Sequence, residues 1–215
     1  MRRSATVAAF ALAAYAPFAA AVDRTTAPPV PAGAYALDKA HTSLVFRVKH
    51  MGFSNYTSRF TGLDAKLDFD PARLAASRVE VTIDPRSIDV DNAPAGFLEM
   101  LAGKDWLDAE RFPEMAFRSK TVEITGANTF RIRGELTLHG VTKPVVLDAR
   151  YNGGYAGHPM DPHARIGFSA QGTFKRSDFG VTIGIPGPGT PLGVSDEVEV
   201  IFESEFSGPP LAKAQ

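Results

Sequence analysis

Most of the chain alternates between apolar and polar residues with a period of two. For example, Leu44, Phe46 and Val48 share one face of a predicted strand, whereas Arg47 and Lys49 lie on the other. Because successive side chains of a strand point to opposite faces, this alternation predicts half-buried antiparallel strands and an all-β fold. Similar segments recur along the chain and bring the total to about eight strands: residues 63–69, 78–83, 129–138, 165–174 and 197–206, and more weakly 115–124 and 144–151.

Turn-forming pairs such as Asp70-Pro71 and Asp84-Pro85 separate the predicted strands. Short antiparallel strands with one apolar face each bury that face either between two packed sheets or inside a closed barrel. The alternation by itself is compatible with both architectures. Gly134 falls on the apolar face of its strand, where a barrel wall bends or a ligand comes close.

One segment, residues 92–112, interrupts the alternation. It places Phe97 and Leu101 at helical spacing, and Asn92 and Gly103 suit the N-cap and the C-cap. We predict a helix of about three turns in this insert. It would close one end of the domain, either as a plug that completes the core or as a lid over a ligand.

The first 21 residues have the layout of a secretory signal. Arg2 and Arg3 precede an Ala-rich apolar stretch, and the triplet that ends at Ala21 supplies the small residues of a cleavage site. A retained membrane anchor is the alternative, but the stretch is short and alanine is a weak anchor. We therefore predict a signal peptide over residues 1–21 and cleavage after Ala21.

The remaining chain divides into one domain and two flexible ends. Residues 22–34 are rich in Pro and Ala and predict a flexible leader, and residues 208–215 predict a flexible tail. The single folded domain is expected to span residues 35–207. The chain has no Cys, which excludes disulfide bonds, thiolate ligands and a thiol nucleophile. A formal net charge of −1 gives no reason to expect a nucleic acid partner.

The histidines give little support for a metal site. His41 and His50 lie nine residues apart on one predicted strand, and an odd separation places them on opposite faces. His158 and His163 flank a loop that contains Asp161, which makes them the better candidates, but exposed loop histidines are usually solvated. We expect neither a metal nor another cofactor.

The sequence also contains no recognisable set of catalytic residues. Residues 167–171 begin like the nucleophile elbow of a hydrolase, but the closing Gly is missing and the segment lies in a predicted strand. Residues 184–189 contain too much Pro to form a phosphate-binding nest of backbone N–H groups. The sequence therefore favours a protein that is not an enzyme.

A series of short motifs follows in order from Tyr35 to about Phe206. Together they resemble the YceI-like proteins, and the segment from Gly134 to Lys143 is the most specific of them. The others include Tyr35-Ala36-Leu37-Asp38, His41-Thr42-Ser43, His50-Met51-Gly52-Phe53, Phe69-Asp70-Pro71, Trp106-Leu107-Asp108-Ala109, Phe117-Arg118-Ser119, Arg176-Ser177-Asp178-Phe179-Gly180 and Val194-Ser195-Asp196-Glu197-Val198.

This resemblance implies an eight-stranded lipocalin-like antiparallel barrel, and so favours the barrel over the sandwich. It also implies a periplasmic location and the binding of a polyisoprenoid lipid in an elongated central tunnel. Many members carry Thr-Gly and then Arg-Asp before the helix, whereas this chain has other residues at 89–97. The segment that leads into the helix is thus particular to this protein.

Burial of an isoprenoid tail supplies enough free energy for binding without charged contacts. Each buried CH₂ gains roughly 0.8 kcal/mol, so ten such carbons gain about 8 kcal/mol before ordering costs are subtracted. His50, Lys175 and Arg176 are candidates for a polar head at the barrel mouth, although Arg176 has Asp178 as an alternative partner. We expect these residues to line the tunnel: Phe46, Val48, Phe69, Phe97, Leu98, Leu101, Trp106, Phe117, Phe168 and Phe179.

The predicted function is therefore non-catalytic binding, storage or transport of a long apolar isoprenoid, either polyprenyl or quinone-like. One alternative is an accessory protein of a membrane redox or isoprenoid-quinone enzyme, which would bind the quinone tail in the same tunnel. Another is a stress protein whose barrel is filled. The expected partners are an isoprenoid or other long-chain lipid, a membrane or membrane redox protein in transient contact, and a second copy in a homodimer.

Overall fold

The computed structural model describes residues 30–211. Short 3-10 helices at Lys39–His41, Leu74–Ala76, Pro85–Ser87 and Arg176–Phe179 accompany the strands. The strands are β1 Gly33–Leu37, β2 Ser43–His50, β3 Ser54–Phe60, β4 Leu63–Phe69, β5 Arg78–Ile83, β6 Ile88–Asp89, β7 Met115–Ile124, β8 Thr129–Leu138, β9 Val141–Tyr155, β10 His163–Lys175 and β11 Val194–Pro210, and the helix is α1 Phe97–Ala102.

The strands form a closed antiparallel barrel. β1 and β2 together make one wall strand, because both pair with β11 on one side and with β4 and β3 on the other. β3 with β4 and β5 with β6 are joined in the same way, so the eleven segments act as eight strands. Each strand pairs with the next in sequence, and the last returns to the first. The barrel predicted from the family resemblance is confirmed.

The break between β1 and β2 has a local cause. The Asp38 side chain accepts a hydrogen bond from the Ala40 N–H at 3.1 Å, and the Thr42 hydroxyl donates to the Asp38 carbonyl at 2.8 Å. These bonds stabilise a 3-10 turn in place of extended chain. The prediction that His41 and His50 share one strand is therefore wrong, since His41 lies in this turn and His50 ends β2.

Aromatic rings fill one half of the barrel interior. Phe168 of β10 lies 5.5 Å from the Tyr151 ring, 6.0 Å from that of Phe69 and 6.3 Å from that of Phe206. Tyr35 of β1 contacts Phe69 edge to face at 6.0 Å. Such pairs contribute about 0.5–1.5 kcal/mol each beyond the area they bury. This half of the barrel is packed core.

The space at Gly134 is taken by a side chain of the protein. A Cβ at this position would collide with the ring of Phe117 on the neighbouring strand. Gly134 therefore makes room for the 6% exposed Phe117, whereas the sequence suggested a bend in the wall or the approach of a ligand.

The helical insert is shorter than predicted. α1 has six residues and begins after Gly96, whose φ of 77° places it in the left-handed region. Pro94 accepts a hydrogen bond from the Phe97 N–H in a turn at 3.1 Å, so the chain reaches the helix only at Phe97. Asn92 is not the N-cap, whereas Gly103 is the C-cap as predicted. None of the helices among residues 30–211 has the length and apolarity that crossing a membrane requires.

The ends of the fold lie beyond the predicted boundaries. Val30 is buried and β1 begins at Gly33, so the described part of the predicted leader, residues 30–34, belongs to the fold. At the other end β11 continues to Pro210, within the predicted tail. The predicted signal peptide, residues 22–29 and residues 212–215 lie outside the described residues.

An ionic cluster crosses the outer wall of the barrel. The Arg165 guanidinium bonds to both Asp38 and Asp161, and the Tyr155 hydroxyl donates to Asp161 at 2.6 Å. The pKa of Asp38 is lowered chiefly by its hydrogen bond with His41 and further by Arg165. The pKa of Asp161 is lowered chiefly by Tyr155 and further by Arg165.

These lowered pKa values predict a loss of stability in acid. Below about pH 4 the unfolded carboxyls bind protons before the folded ones do, so the free energy of unfolding should fall as pH drops from about 5 to about 3. Urea unfolding across this range should show a smaller fall in Asp38→Asn/Asp161→Asn than in wild type, because the double variant lacks the two carboxyls with lowered pKa values. Asp68→Asn, on an exposed position of β4, is the matched control. Equal falls in the double variant and in wild type would contradict the assignment.

Candidate functional site

An apolar cavity of about 370 Å³ lies at the end of the barrel that carries α1. Its volume falls within the roughly 300–1,000 Å³ of small-molecule sites. Strands β2, β3 and β11, the helical insert and the chain after β10 form most of its wall, and β6, β7, β8 and β10 contribute one residue each. The lining residues are Phe46, Val48, His50, Tyr56, Ser58, Phe60, Ile88, Pro94, Phe97, Leu101, Trp106, Leu107, Met115, Leu138, Phe174, Arg176, Val181, Val194, Val198 and Val200.

Strand register explains one side of this wall. Val48 of β2 lies opposite Val198 of β11, and Phe46 lies opposite Val200. Because side chains alternate between faces, residues two apart point to the same side, and these four all line the cavity. On the other edge of β2, Phe46 faces Ser58 of β3. Small side chains at 58, 198 and 200 leave the space that the cavity occupies.

The helical insert covers the cavity. Phe97 and Leu101 lie one helical turn apart and both line it, whereas Leu98 points elsewhere. Trp106 reaches the cavity from the turn after α1, which is held by a bond from its N–H to the Gly103 carbonyl at 3.1 Å. The insert was expected to be either a plug or a lid, and both interpretations put it at this end of the barrel. Phe97, Leu101 and Trp106 of the insert border the cavity.

Arg176 is a buried cation in the cavity wall, 5% exposed. Its Nε donates to the Ser195 carbonyl at 2.9 Å, and its Nη2 to the Val194 carbonyl at 2.8 Å. Its Nη1 donates to the carbonyls of Val181 and Ile183 at 3.1 and 2.8 Å. Four of the five guanidinium N–H groups thus hold the chain between β10 and β11.

Nearby groups stabilise the charge of Arg176. The guanidinium carbon lies 5.5 Å from the Trp106 ring centre, in the range of a cation–π contact. Burial lowers the pKa of Arg176, and the charge of Asp196 opposes that shift. Asp178, the partner considered from the sequence, is exposed, and no ion pair joins it to Arg176 among residues 30–211.

The structure separates the predicted site residues into two groups. Seven line the cavity, namely Phe46, Val48, His50, Phe97, Leu101, Trp106 and Arg176. Lys175 is exposed, and Leu98 lies outside the cavity. Phe69, Phe117, Phe168 and Phe179 belong to or pack against the core, where Phe69 and Phe168 border a separate gap of about 50 Å³. The cavity therefore does not extend to these four phenylalanines, which were expected to line the tunnel.

Sequence reasoning overlooked the contributions of β3 and β11. Tyr56, Phe60 and the three valines of β11 line the cavity without having been singled out. The alternation does place Val198 and Val200 on an inward face, and this is the one signal in the sequence that could have identified them as lining residues. Their position beside β2 depends on the pairing of the first and last strands, which the pattern alone does not reveal.

One cluster on the outer wall has the side-chain chemistry of a metal site. Ligand atoms of Asp38, His41 and Glu205 lie within 4.8 Å of one another. Arg165 already pairs with Asp38, and its positive charge opposes a cation at the same oxygens. The loop candidate offers less, because Arg165 and Tyr155 occupy the Asp161 carboxylate.

The absence of a metal therefore stays a prediction. We expect a chelator to leave the melting temperature unchanged, because Arg165 already neutralises Asp38 and Asp161. Elemental analysis of the purified protein should find no stoichiometric metal. A fall in melting temperature with chelator that disappears in His41→Ala would contradict this and would assign the metal to the outer cluster.

The fold and the cavity define the class of protein. A closed antiparallel barrel around an apolar cavity, with a helix across one end, is a lipocalin-like barrel. Residues 35–206 match the YceI-like domain, and the chain belongs to this family.

Individual relatives agree with this assignment. A UPF0312 protein of Yersinia pestis is 36% identical, over 80% of this chain and 84% of its own length. The crystal structure of BcnA from Burkholderia cenocepacia superposes with a TM-score of 0.67 at 27% identity, and the match covers 79% of this chain and 98% of BcnA. A polyisoprenoid binding domain from Saccharophagus degradans shares the fold, with a TM-score of 0.56 at 16% identity over 81% of this chain and 98% of that domain.

Proposed function

We propose that this protein binds a long apolar isoprenoid lipid, polyprenyl or quinone-like, in the cavity and stores or transports it without chemical change. The observation that carries the proposal is a cavity of about 370 Å³ whose wall is almost entirely apolar. The side chains around an apolar cavity of this size do not make with one another the contacts that a packed core would make. A prenyl tail in it would regain them and leave water at the same time.

Polar side chains in the cavity wall, His50 and Arg176 among them, suit a ligand with one polar end. His50 lies with its ring 6.0 Å from that of Tyr56 and lines the cavity, as does Arg176. Most of the Arg176 donors are occupied, so we assign it to the support of the wall and His50 to contact with a head group. The Saccharophagus domain of the same fold, described as polyisoprenoid binding, supports this ligand class. The cavity argues against the alternative of a stress protein whose barrel is filled by its own side chains.

Mass spectrometry of lipid extracted from natively purified protein tests the proposal directly. A prenyl compound at close to one molecule per chain is the expected result. Val200→Phe protein, in which a ring would occupy the cavity, is the matched control and should yield much less of the same compound. Equal traces of mixed membrane lipids from both proteins would overturn the proposal.

We further propose that the chain acts in the periplasm after export. The motivation is Arg2 and Arg3 ahead of an apolar stretch that ends at Ala21. N-terminal sequencing of protein recovered from the periplasm should begin at residue 22. An intact Met1 on protein confined to the cytoplasm would contradict this proposal.

A further inference from the structure

Exposed apolar side chains gather at the mouth of the cavity. Among residues 30–211, nine large hydrophobic side chains are exposed, and four of them lie in two neighbouring loops. Met51 and the 81% exposed Phe53 occupy the turn between β2 and β3, and Ile183 and the 65% exposed Leu192 lie between β10 and β11. We call these four side chains the rim.

Backbone contacts hold the two rim loops side by side. The Met51 N–H of the first loop donates to the Gly193 carbonyl of the second at 2.7 Å, and the second loop is itself closed by a bond from the Val194 N–H to the Gly184 carbonyl at 2.7 Å. A Cβ at Gly52 would lie 3.1 Å from the Cβ of Pro191. The two loops thus form one surface.

This surface is continuous with the cavity wall. His50, directly before Met51, lines the cavity, and so do Val181 and Val194 at the two ends of the second loop. Arg176 bonds to the Ile183 carbonyl and so fixes the rim to the wall. A ligand that enters between the two loops therefore passes from one apolar surface to another.

The rim carries no formal charge. Residues 50–58 and residues 179–195 contain no Asp, Glu, Lys or Arg, although 22% of the chain is charged. A docking site for a charged protein partner would carry complementary charges. A surface that is both apolar and neutral instead matches an electrically neutral lipid bilayer, into which an aromatic side chain at a loop tip can insert.

We propose that the rim docks the mouth of the cavity onto a zwitterionic membrane surface. The inference rests on the proposed function, because a membrane is where an isoprenoid ligand would be collected or delivered. Docking places the cavity mouth against the bilayer, and the ligand then moves between them without crossing water. Because apolar contacts drive it, the binding should depend only weakly on salt.

Flotation with phosphatidylcholine vesicles tests docking. Wild type should float with the vesicles, and Phe53→Asp and Leu192→Asp should each reduce the bound fraction on the order of tenfold or more. Met160→Asp is the matched control, because Met160 is 91% exposed in the turn between β9 and β10, at the opposite end of β11. All proteins are compared in the same processed form, so that any residues before Val30 contribute equally.

A second measurement separates docking from the proposed function. A water-soluble fluorescent probe with a short prenyl tail should bind the two rim variants as tightly as wild type, since neither side chain lines the cavity. Probe binding without flotation of wild type, or flotation that Phe53→Asp and Met160→Asp reduce equally, would overturn docking and leave the cavity function intact. Absence of probe binding in every protein would overturn the proposed function. A dimer in sedimentation that Phe53→Asp dissociates, without flotation, would assign the rim to a second copy instead.

Discussion

Replacement of Arg176 by Met should lower the free energy of unfolding by at least about 3 kcal/mol. The guanidinium donates to four backbone carbonyls between Val181 and Ser195, and Met offers no donor to any of them. Each buried acceptor left without a partner costs about 1–3 kcal/mol, a cost that water reduces where it can enter. The chain between β10 and β11 would then lose its attachment to the wall.

Chemical denaturation of three variants measures this effect. Arg176→Lys should recover only part of the loss, because an ammonium group has three donors and lacks the planar fork of the guanidinium. Lys175→Met, one residue earlier and exposed, should stay within about 0.5 kcal/mol of wild type. If Arg176→Met were as stable as Lys175→Met, the four bonds would not hold this segment.

The period-two alternation carried most of the information about the fold. It placed β7 at Met115–Ile124 and β8 within residues 129–138, because strands with one buried face repeat that pattern. It did not reveal closure, which depends on a first strand pairing with the last. The break after β1 was also missed, because it depends on two local hydrogen bonds, from the Ala40 N–H to the Asp38 side chain and from the Thr42 hydroxyl to the Asp38 carbonyl.

The sequence predicted the end of the helix correctly but not its start. Gly103 was predicted as the C-cap because glycine is common where a helix ends. The start at Phe97 was missed because Asn92 is also a good N-cap by residue type. The left-handed Gly96 and the turn at Pro94 decide the start instead.

The candidate site was predicted in part, and the four phenylalanines that lie outside the cavity share one physical reason. The sequence reasoning favoured phenylalanines as lining residues because a prenyl tail needs apolar surface. Large rings, however, fill space, and Phe69 and Phe168 pack against each other at 6.0 Å. The cavity remains where β-branched and small side chains such as Val198 and Ser58 face inward. Inward-facing residues of small volume are therefore the better signal for an empty site in this barrel.

Adding an aromatic ring to the cavity should have the second large effect, which is a loss of ligand affinity. Val200→Phe places new volume opposite Phe46, where the wall faces empty space. Burial of the added apolar surface should keep the free energy of unfolding at or above the wild-type value. Binding of a prenyl-tailed fluorescent probe should weaken by tenfold or more, on the order of 1.4 kcal/mol, because the ring occupies the site.

Val81→Phe makes the same chemical change in the packed core and is the matched control. Val81 is 7% exposed, belongs to the core cluster and lies outside the cavity. Overpacking at such a position costs about 1–3 kcal/mol, so this variant should unfold more easily, and its folded fraction should bind the probe as wild type does. Urea unfolding and probe titration of both variants give opposite patterns if the cavity is the ligand site. Equal destabilisation of the two variants, with unchanged probe binding by folded Val200→Phe, would show that the ligand binds elsewhere.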